Sequence, residues 1–210
     1  MLTQPTLRAW RPGDAATVLA AFSAPEMDRQ ADRPVDSLAA ASRWIERRAA
    51  DREAGTAYAF AVVDEADVPL GNVAVSAVNR VHGTAWVSYW TSLAARGRGT
   101  ATAGLRALTD WAFTDLRLHR LELGHRTNNP ASCAVARAAG FTVEGLQREK
   151  LVYGGVRYDV ELHARLRGAG GVACLPGPPG SAGVWRFRPA SEGRSASLRV
   201  GCADVPSGHP

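Results

Sequence analysis

Cysteine is scarce in this chain, with only Cys133, Cys174 and Cys202 among 210 residues. An odd, widely spaced set gives no disulfide framework and suits a reducing compartment. No Cys, His or acidic run has the spacing of a metal motif, so no metal is expected. Long apolar runs are missing as well. Charge breaks every apolar stretch before the roughly 18 residues a membrane span needs. Arg8, Arg11 and Asp14 interrupt the segment where a signal peptide wants an apolar run. These absences predict a soluble, unexported, cytoplasmic protein with no membrane partner.

A basic stripe is also absent. The formal net charge is +5, and four arginines against two acids put +2 of it on residues 168–210. The remaining +3 is spread without interleaved aromatics, which argues against nucleic acid as a partner. A ribosome-associated or nucleic-acid adaptor using the basic tail stays as a rival that deletion of residues 168–210 would test.

What is present is apolar material for one core: 46% of the residues are hydrophobic. It is concentrated in residues 1–167, which read as one domain. Residues 168–210 hold nine Gly, six Pro and five Ser with no sustained period of 2 or 3.6. Such a segment buries too little to offset its chain entropy and is expected to be a poorly ordered tail, although Trp185 and Phe187 offer docking groups.

Within the domain, Leu7–Trp10 reads as a short strand and Pro12-Gly13-Asp14 as the punctuation before a helix through Val18, Leu19 and Phe22. Residues 37–50 have Leu38, Ala41, Trp44, Ile45 and Arg48 at helical spacing. Three strands follow at Tyr58–Val63, Leu70–Val78 and Thr84–Trp90, separated by polar turns. A helix from Thr100 to Leu116 turns Leu105, Leu108, Ala112 and Leu116 inward. His119–His125 is a strand, and Asn129-Pro130 opens a short helix ended by Gly140. Phe141–Val143 starts another strand, and Gly154-Gly155 turns Lys150–Tyr153 into a closing strand, Arg157–Leu166. This order predicts an α/β domain: a mixed, mostly antiparallel sheet with helices on both faces.

The turn Arg96-Gly97-Arg98-Gly99-Thr100-Ala101 carries the most chemistry. Two glycines let backbone N–H groups converge on an anion without a side chain in the way, and the helix behind them adds its positive end. The turn lacks the Lys-Ser/Thr ending of a nucleotide P-loop.

Arg96-x-x-Gly99-x-Ala101 resembles the Arg/Gln-x-x-Gly-x-Gly/Ala motif of the GNAT superfamily of acetyltransferases. The run Ser88-Tyr89-Trp90 through Thr102 looks like its RimJ/RimL branch. Asn129-Pro130-Ala131-Ser132, Val135-Ala136-Arg137 and Gly140-Phe141 are similar to that branch's Asn-x-x-Ser helix and Gly-Phe ending, and Gly155-x-x-x-Asp159 also fits. The resemblance covers about residues 5–166.

It implies the GNAT fold and acetyl-CoA as cosubstrate. The pyrophosphate would lie on Arg96, Gly97, Arg98, Gly99, Thr100 and Ala101, and the pantetheine would pair with Tyr89, Trp90, Thr91, Ser92 and Leu93. A splay between this strand and His119–His125 would admit the thioester. Asn129 and Ser132 would face the cofactor's arm, and Arg137 would touch it. The acceptor implied is an amine, either a protein N-terminal α-amine or a small molecule, and some relatives pair as homodimers. Asn129 also reads as a simple N-cap.

The chain departs from the pattern at the catalytic groups. Many relatives carry Glu where Trp86 stands, and the superfamily's acidic tyrosine aligns with Ala136, which leaves Ser132 to protonate the thiolate. If a side chain is the base that takes the amine's proton, Glu122 and His125 are favoured, with Glu149 behind them; the alternative is bulk water acting on an amine that enters neutral. Glu122 and His125 fall on opposite faces of a regular strand, so one pocket cannot hold both without a bulge. The missing glutamates also suit a non-catalytic acyl-CoA sensor.

Overall fold

The structure is a computed structural model that describes residues 6–31 and 33–168. The tail beyond Gly168, with Cys174, Cys202, Trp185 and Phe187, lies outside the described residues.

Among the described residues, seven strands and four α-helices follow one another in the expected order. They are β1 (Thr6–Arg8), α1 (Ala15–Phe22), α2 (Leu38–Glu53), β2 (Tyr58–Val63), β3 (Pro69–Asn79), β4 (Thr84–Thr91), α3 (Thr100–Thr114), β5 (Arg120–Arg126), α4 (Pro130–Ala138), β6 (Thr142–Tyr153) and β7 (Val156–Leu166). Among the described residues the strands form one sheet, ordered β1-β2-β3-β4-β5-β7-β6. All neighbours are antiparallel except β4 and β5, which run parallel because α3 carries the chain back between them. None of the described helices is long and apolar enough to cross a membrane.

The period-2 alternation of β2 divides the interior into two cores. Ala59, Ala61 and Val63 meet Val18, Phe22, Trp44 and Ile45 of α1 and α2 on one face. Phe60 and Val62 meet Leu105, Leu108 and Ala112 of α3 on the other, with Ala136 of α4 in the same cluster. In the first core Trp10, Phe22, Trp44 and Trp90 pack ring to ring at 5.2–6.3 Å, and the Trp10 indole N–H donates to Asn72 Oδ1 at 2.9 Å. Asp14 ties β1 to the entry of α1, accepting from Arg8 at 2.7 and 2.9 Å and from the Arg11 backbone N–H at 2.8 Å.

Three local expectations are corrected. The first strand ends at Arg8, and Trp10 leaves the sheet for the aromatic core. Leu38 is 56% exposed, because it heads α2 directly after the Ser37 cap, and Ala40 replaces it on the inner face with Ala41, Trp44 and Ile45. The pieces expected at Phe141–Val143 and Lys150–Tyr153 belong to one twelve-residue strand, Thr142–Tyr153, with register shifts at Val143/Gly145 and Gln147/Leu151. Those shifts, in a strand exposed over most of its length, erase the alternation by which it would be recognised.

Candidate functional site

The sheet opens between its two parallel strands. β4 and β5 share only the pairs Thr84↔Arg120, Ala85↔Leu121 and Trp86↔Glu122. Beyond that point β4 stays paired with β3 as far as Thr91, and β5 stays paired with β7 as far as Arg126. Each strand therefore keeps its outer neighbour while its inner edge leaves the ladder, and the gap between Val87–Thr91 and Leu123–Arg126 has main-chain polar groups on both walls.

The glycine turn sits just past the end of β4. A short 3-10 turn, Leu93–Ala95, buries Ala95 and delivers the chain to Arg96. Gly97 and Gly99 then take φ of +72° and +78°, the left-handed region that side chains rarely adopt. A Cβ at either position would meet nothing within 4 Å, so both glycines border open space. The Thr100 hydroxyl donates to Ala95 O at 3.3 Å, and Ala103 N–H to Gly99 O at 2.9 Å opens the helical ladder. The amides of Thr100, Ala101 and Thr102 precede that ladder and lie at the positive end of α3. Arg96 and Arg98 are exposed on the same turn, and Arg96 pairs with Glu26 at 3.1 Å. Converging amides, two exposed arginines and open space are what a diphosphate needs.

On the α3/α4 side of the gap, Tyr89 reaches from β4 to the first turn of α4. Its phenol oxygen lies 2.7 Å from Ser132 Oγ and donates to Ser132 O at 3.0 Å. Asn129 caps the same turn, its Oδ1 accepting the Ser132 N–H at 3.1 Å. Burial pushes the Tyr89 phenol above its ordinary range, outweighing the opposite effect of the Ser132 hydrogen bond. Sequence reasoning placed Tyr89 in the cofactor-binding strand through its backbone and missed its phenol. The available signal was alternation, which puts Tyr89 on the face of Ala85 and Val87, under α3 and α4.

The opposite face of the gap is floored by Trp86, which is 37% exposed, and by Gly124 and Val160. A Cβ on Gly124 would come within 2.8 Å of Val160 Cγ1 and 3.1 Å of Trp86 Cη2, so the missing side chain is what seats the indole. Glu122 stands beside this floor at the last shared pair of the ladder. Arg120 Nε donates to it at 2.6 Å, and the same guanidinium binds both carboxylate oxygens of Glu144.

His125 lies on the other face of β5. It is buried, and its Nε2 is 2.9 Å from His163 Nε2 and 3.4 Å from Glu161 Oε1, away from Trp86 and Glu122. No register shift interrupts β5, so the structure does not bring Glu122 and His125 together. Glu149 is exposed at a shift in β6 with φ of +53°, its N–H bonded to Asp159 Oδ1 at 2.7 Å. Arg137 lines a cavity of about 380 Å³ with His125, Thr127, Pro130, Cys133, Ala134 and Glu161. These α4 residues lie on the flank turned from Ser132, by the 100° step of a helix.

Comparison with known proteins agrees with this geometry. The sequence profile of the acetyltransferase (GNAT) domain matches residues 5–142. The chain is 37% identical over 83 residues to the probable N-acetyltransferase YjcK of Bacillus subtilis, spanning 40% of this chain and 46% of that protein. It is 29% identical over 112 residues to the ribosomal-protein-serine acetyltransferase of Escherichia coli, spanning 53% and 62%. The matches thus reach about half the length of these curated relatives. Among solved structures, RimL, a ribosomal L7/L12 α-N-protein acetyltransferase in complex with coenzyme A, superposes with a TM-score of 0.70. It is 22% identical and covers 79% of this chain and 96% of that one. Spermidine N-acetyltransferase from Vibrio cholerae, in complex with CoA and spermine, superposes at 0.68 with 24% identity, covering 78% and 95%. With its open parallel pair, its glycine turn at the head of α3 and a family profile covering most of the described residues, the chain belongs to the GNAT acetyltransferase family.

Proposed function

We propose that this protein transfers the acetyl group of acetyl-CoA directly to a primary amine while both are bound. The observation that carries the reading is the alignment of three features along one opening: the glycine turn, the unpaired inner edge of β4, and the Tyr89–Ser132 pair. Acetyl-CoA supplies a thioester already activated for attack. The amides of Gly97–Ala101, with Arg96 and Arg98, hold its diphosphate. The Tyr89–Leu93 edge orients the pantetheine like an added strand, and Asn129 and Ser132 flank the arm. The Tyr89–Ser132 pair holds a proton next to the departing sulfur, and the elevated phenol keeps that proton at neutral pH.

The amine approaches over Trp86, Gly124 and Val160. Glu122 is the carboxylate at the apex of this face, and we assign it to orient the incoming ammonium and accept its proton. An aromatic floor with a carboxylate at its edge suits a cationic amine, whether a protein N-terminus or a small polyamine-like molecule. Release of free CoA thiol from acetyl-CoA across a panel of amines tests the reading. Turnover with at least one amine supports it, and binding of acetyl-CoA with no release across the panel contradicts it. Trp86, standing where many relatives carry glutamate, favours a second reading as an acyl-CoA sensor, for which binding without release is the expected result.

A further inference from the structure

Four potential ligands meet under α4, on the face of the sheet opposite Glu122. His125 and Glu161 are Cα partners across β5 and β7, and His163 follows Glu161 by two residues on the same face of β7. Cys133 comes down from α4. His125 Nε2 and His163 Nε2 are 2.9 Å apart, His163 Nε2 and Glu161 Oε1 2.9 Å, His125 Nε2 and Glu161 Oε1 3.4 Å, and Cys133 Sγ and Glu161 Oε1 3.4 Å. One donor atom from each residue lies within 4.8 Å of all the others.

We propose that His125, Cys133, Glu161 and His163 form a four-coordinate site for a borderline-soft divalent cation of the zinc class, which clamps α4 to β5 and β7. Tetrahedral zinc, with bonds of about 2.0–2.3 Å, separates its ligand atoms by about 3.3–3.7 Å, so the two 2.9 Å contacts of His163 Nε2 need to open by a few tenths of an ångström, while the Cys133–histidine separations, within 4.8 Å, close toward the same range. The donor set is nitrogen, sulfur and carboxylate oxygen, the chemistry zinc takes. A thiolate and a carboxylate supply two negative charges, which neutralise a dication in a place where an unpaired charge would be costly.

His125 is already oriented as a ligand. Its Nδ1 faces the Arg126 carbonyl at 3.0 Å, and because a carbonyl only accepts, Nδ1 carries the proton and Nε2 presents its lone pair to the cluster. Without a cation, a single proton on His163 Nε2 has to serve both His125 Nε2 and Glu161 Oε1. Binding replaces that shared bond and the Cys133 S–H with metal bonds; the thiol proton leaves to solvent, and the proton on His163 moves to Nδ1, a buried nitrogen that accepts and donates no hydrogen bond, so the metal bond has to outweigh that unpaired N–H. His125, Cys133 and Glu161 also line the cavity of about 380 Å³, which gives the ion a way in.

All four positions are filled by protein, which makes the site structural. Cys133 adjoins Ser132, so the ion would fix the turn of α4 that meets Tyr89. This proposal is independent of acetyl transfer.

The test is cobalt titration of the full chain after chelator treatment under a thiol-free reductant. One equivalent of cobalt with the intense visible bands of tetrahedral coordination and a thiolate-to-cobalt charge-transfer band is expected, and zinc should displace it. Cys133→Ser, at a half-buried position tolerant of a hydroxyl, should abolish the charge-transfer band and weaken zinc by at least about 100-fold. Glu161→Gln should weaken it by about 10-fold or more. Absence of stoichiometric binding, the weak spectrum of six-coordinate cobalt, or binding unchanged in Cys133→Ser would each overturn the proposal, the last by assigning the ion to other residues.

Discussion

The Tyr89 phenol and the Ser132 hydroxyl stand 2.7 Å apart, joining β4 to α4 beside the opening between β4 and β5. One residue comes from a strand whose inner edge is unpaired, the other from the first turn of a helix capped by Asn129. A proton can pass between them without water, beside the place where a thiolate must be protonated.

Tyr89→Phe and Ser132→Ala should each lower kcat by about 10- to 100-fold, with a smaller effect on acetyl-CoA affinity. Because the two act as a unit, the double variant should fall well short of the product of the single losses. Burial raises the phenol above its ordinary value near 10. Loss of activity through Tyr89 ionisation therefore belongs above pH 10, and a pH–rate profile should find the neutral region alike in shape for wild type and Tyr89→Phe.

Glu122→Gln should reduce kcat and kcat/KM for the amine by about 10- to 100-fold. Glu149→Gln should leave both unchanged, since its backbone serves a strand irregularity in β6. Equal losses in the two variants would remove Glu122 from its assigned role.

Filling Gly124 tests the acceptor floor. Gly124→Ala should cost about 1–3 kcal/mol of stability, because the new methyl overlaps Val160 and Trp86. Denaturant unfolding measures this, and intrinsic fluorescence should report a displaced indole. The KM for the amine should rise more than that for acetyl-CoA.

The Arg8–Asp14 pair predicts a pH dependence of stability. Burial works to raise the Asp14 carboxyl, but hydrogen bonds from Arg8 and the Arg11 backbone prevail and hold it below its ordinary 3.8. A carboxyl depressed in the folded state contributes stability above its unfolded pKa and loses it as pH falls through the folded value. Asp14→Asn should therefore cost about 2–3 kcal/mol at pH 7. The difference should shrink below about pH 4 in denaturant titrations.

Much of this molecule was legible in its sequence where local pattern and burial coincide. The Leu105-Leu108-Ala112 stripe, the Asn129-Pro130 cap and the glycines at 97 and 99 announce their structures because one segment contains the whole signal. Leu38 and the middle of β6 misled because exposure there is decided by where an element ends or slips register. The Tyr89 phenol was hidden for a different reason: a tyrosine among apolar strand residues looks like wall until the partner 43 positions away is in view. The His125, Cys133, Glu161 and His163 cluster has no motif spacing at all, since a strand pairing and a helix docked over it assemble it from three separate elements.

Calorimetric titration of acetyl-CoA into wild type, Gly97→Val and Gly99→Val tests the phosphate cradle most directly. A Cβ at either glycine meets no protein atom within 4 Å, so the substitutions act through the left-handed backbone and the ligand's seat. One molecule bound per wild-type chain, with affinity weakened at least about tenfold in each folded variant, is the predicted result. No binding by the wild type, or unchanged affinity in both variants, would contradict it.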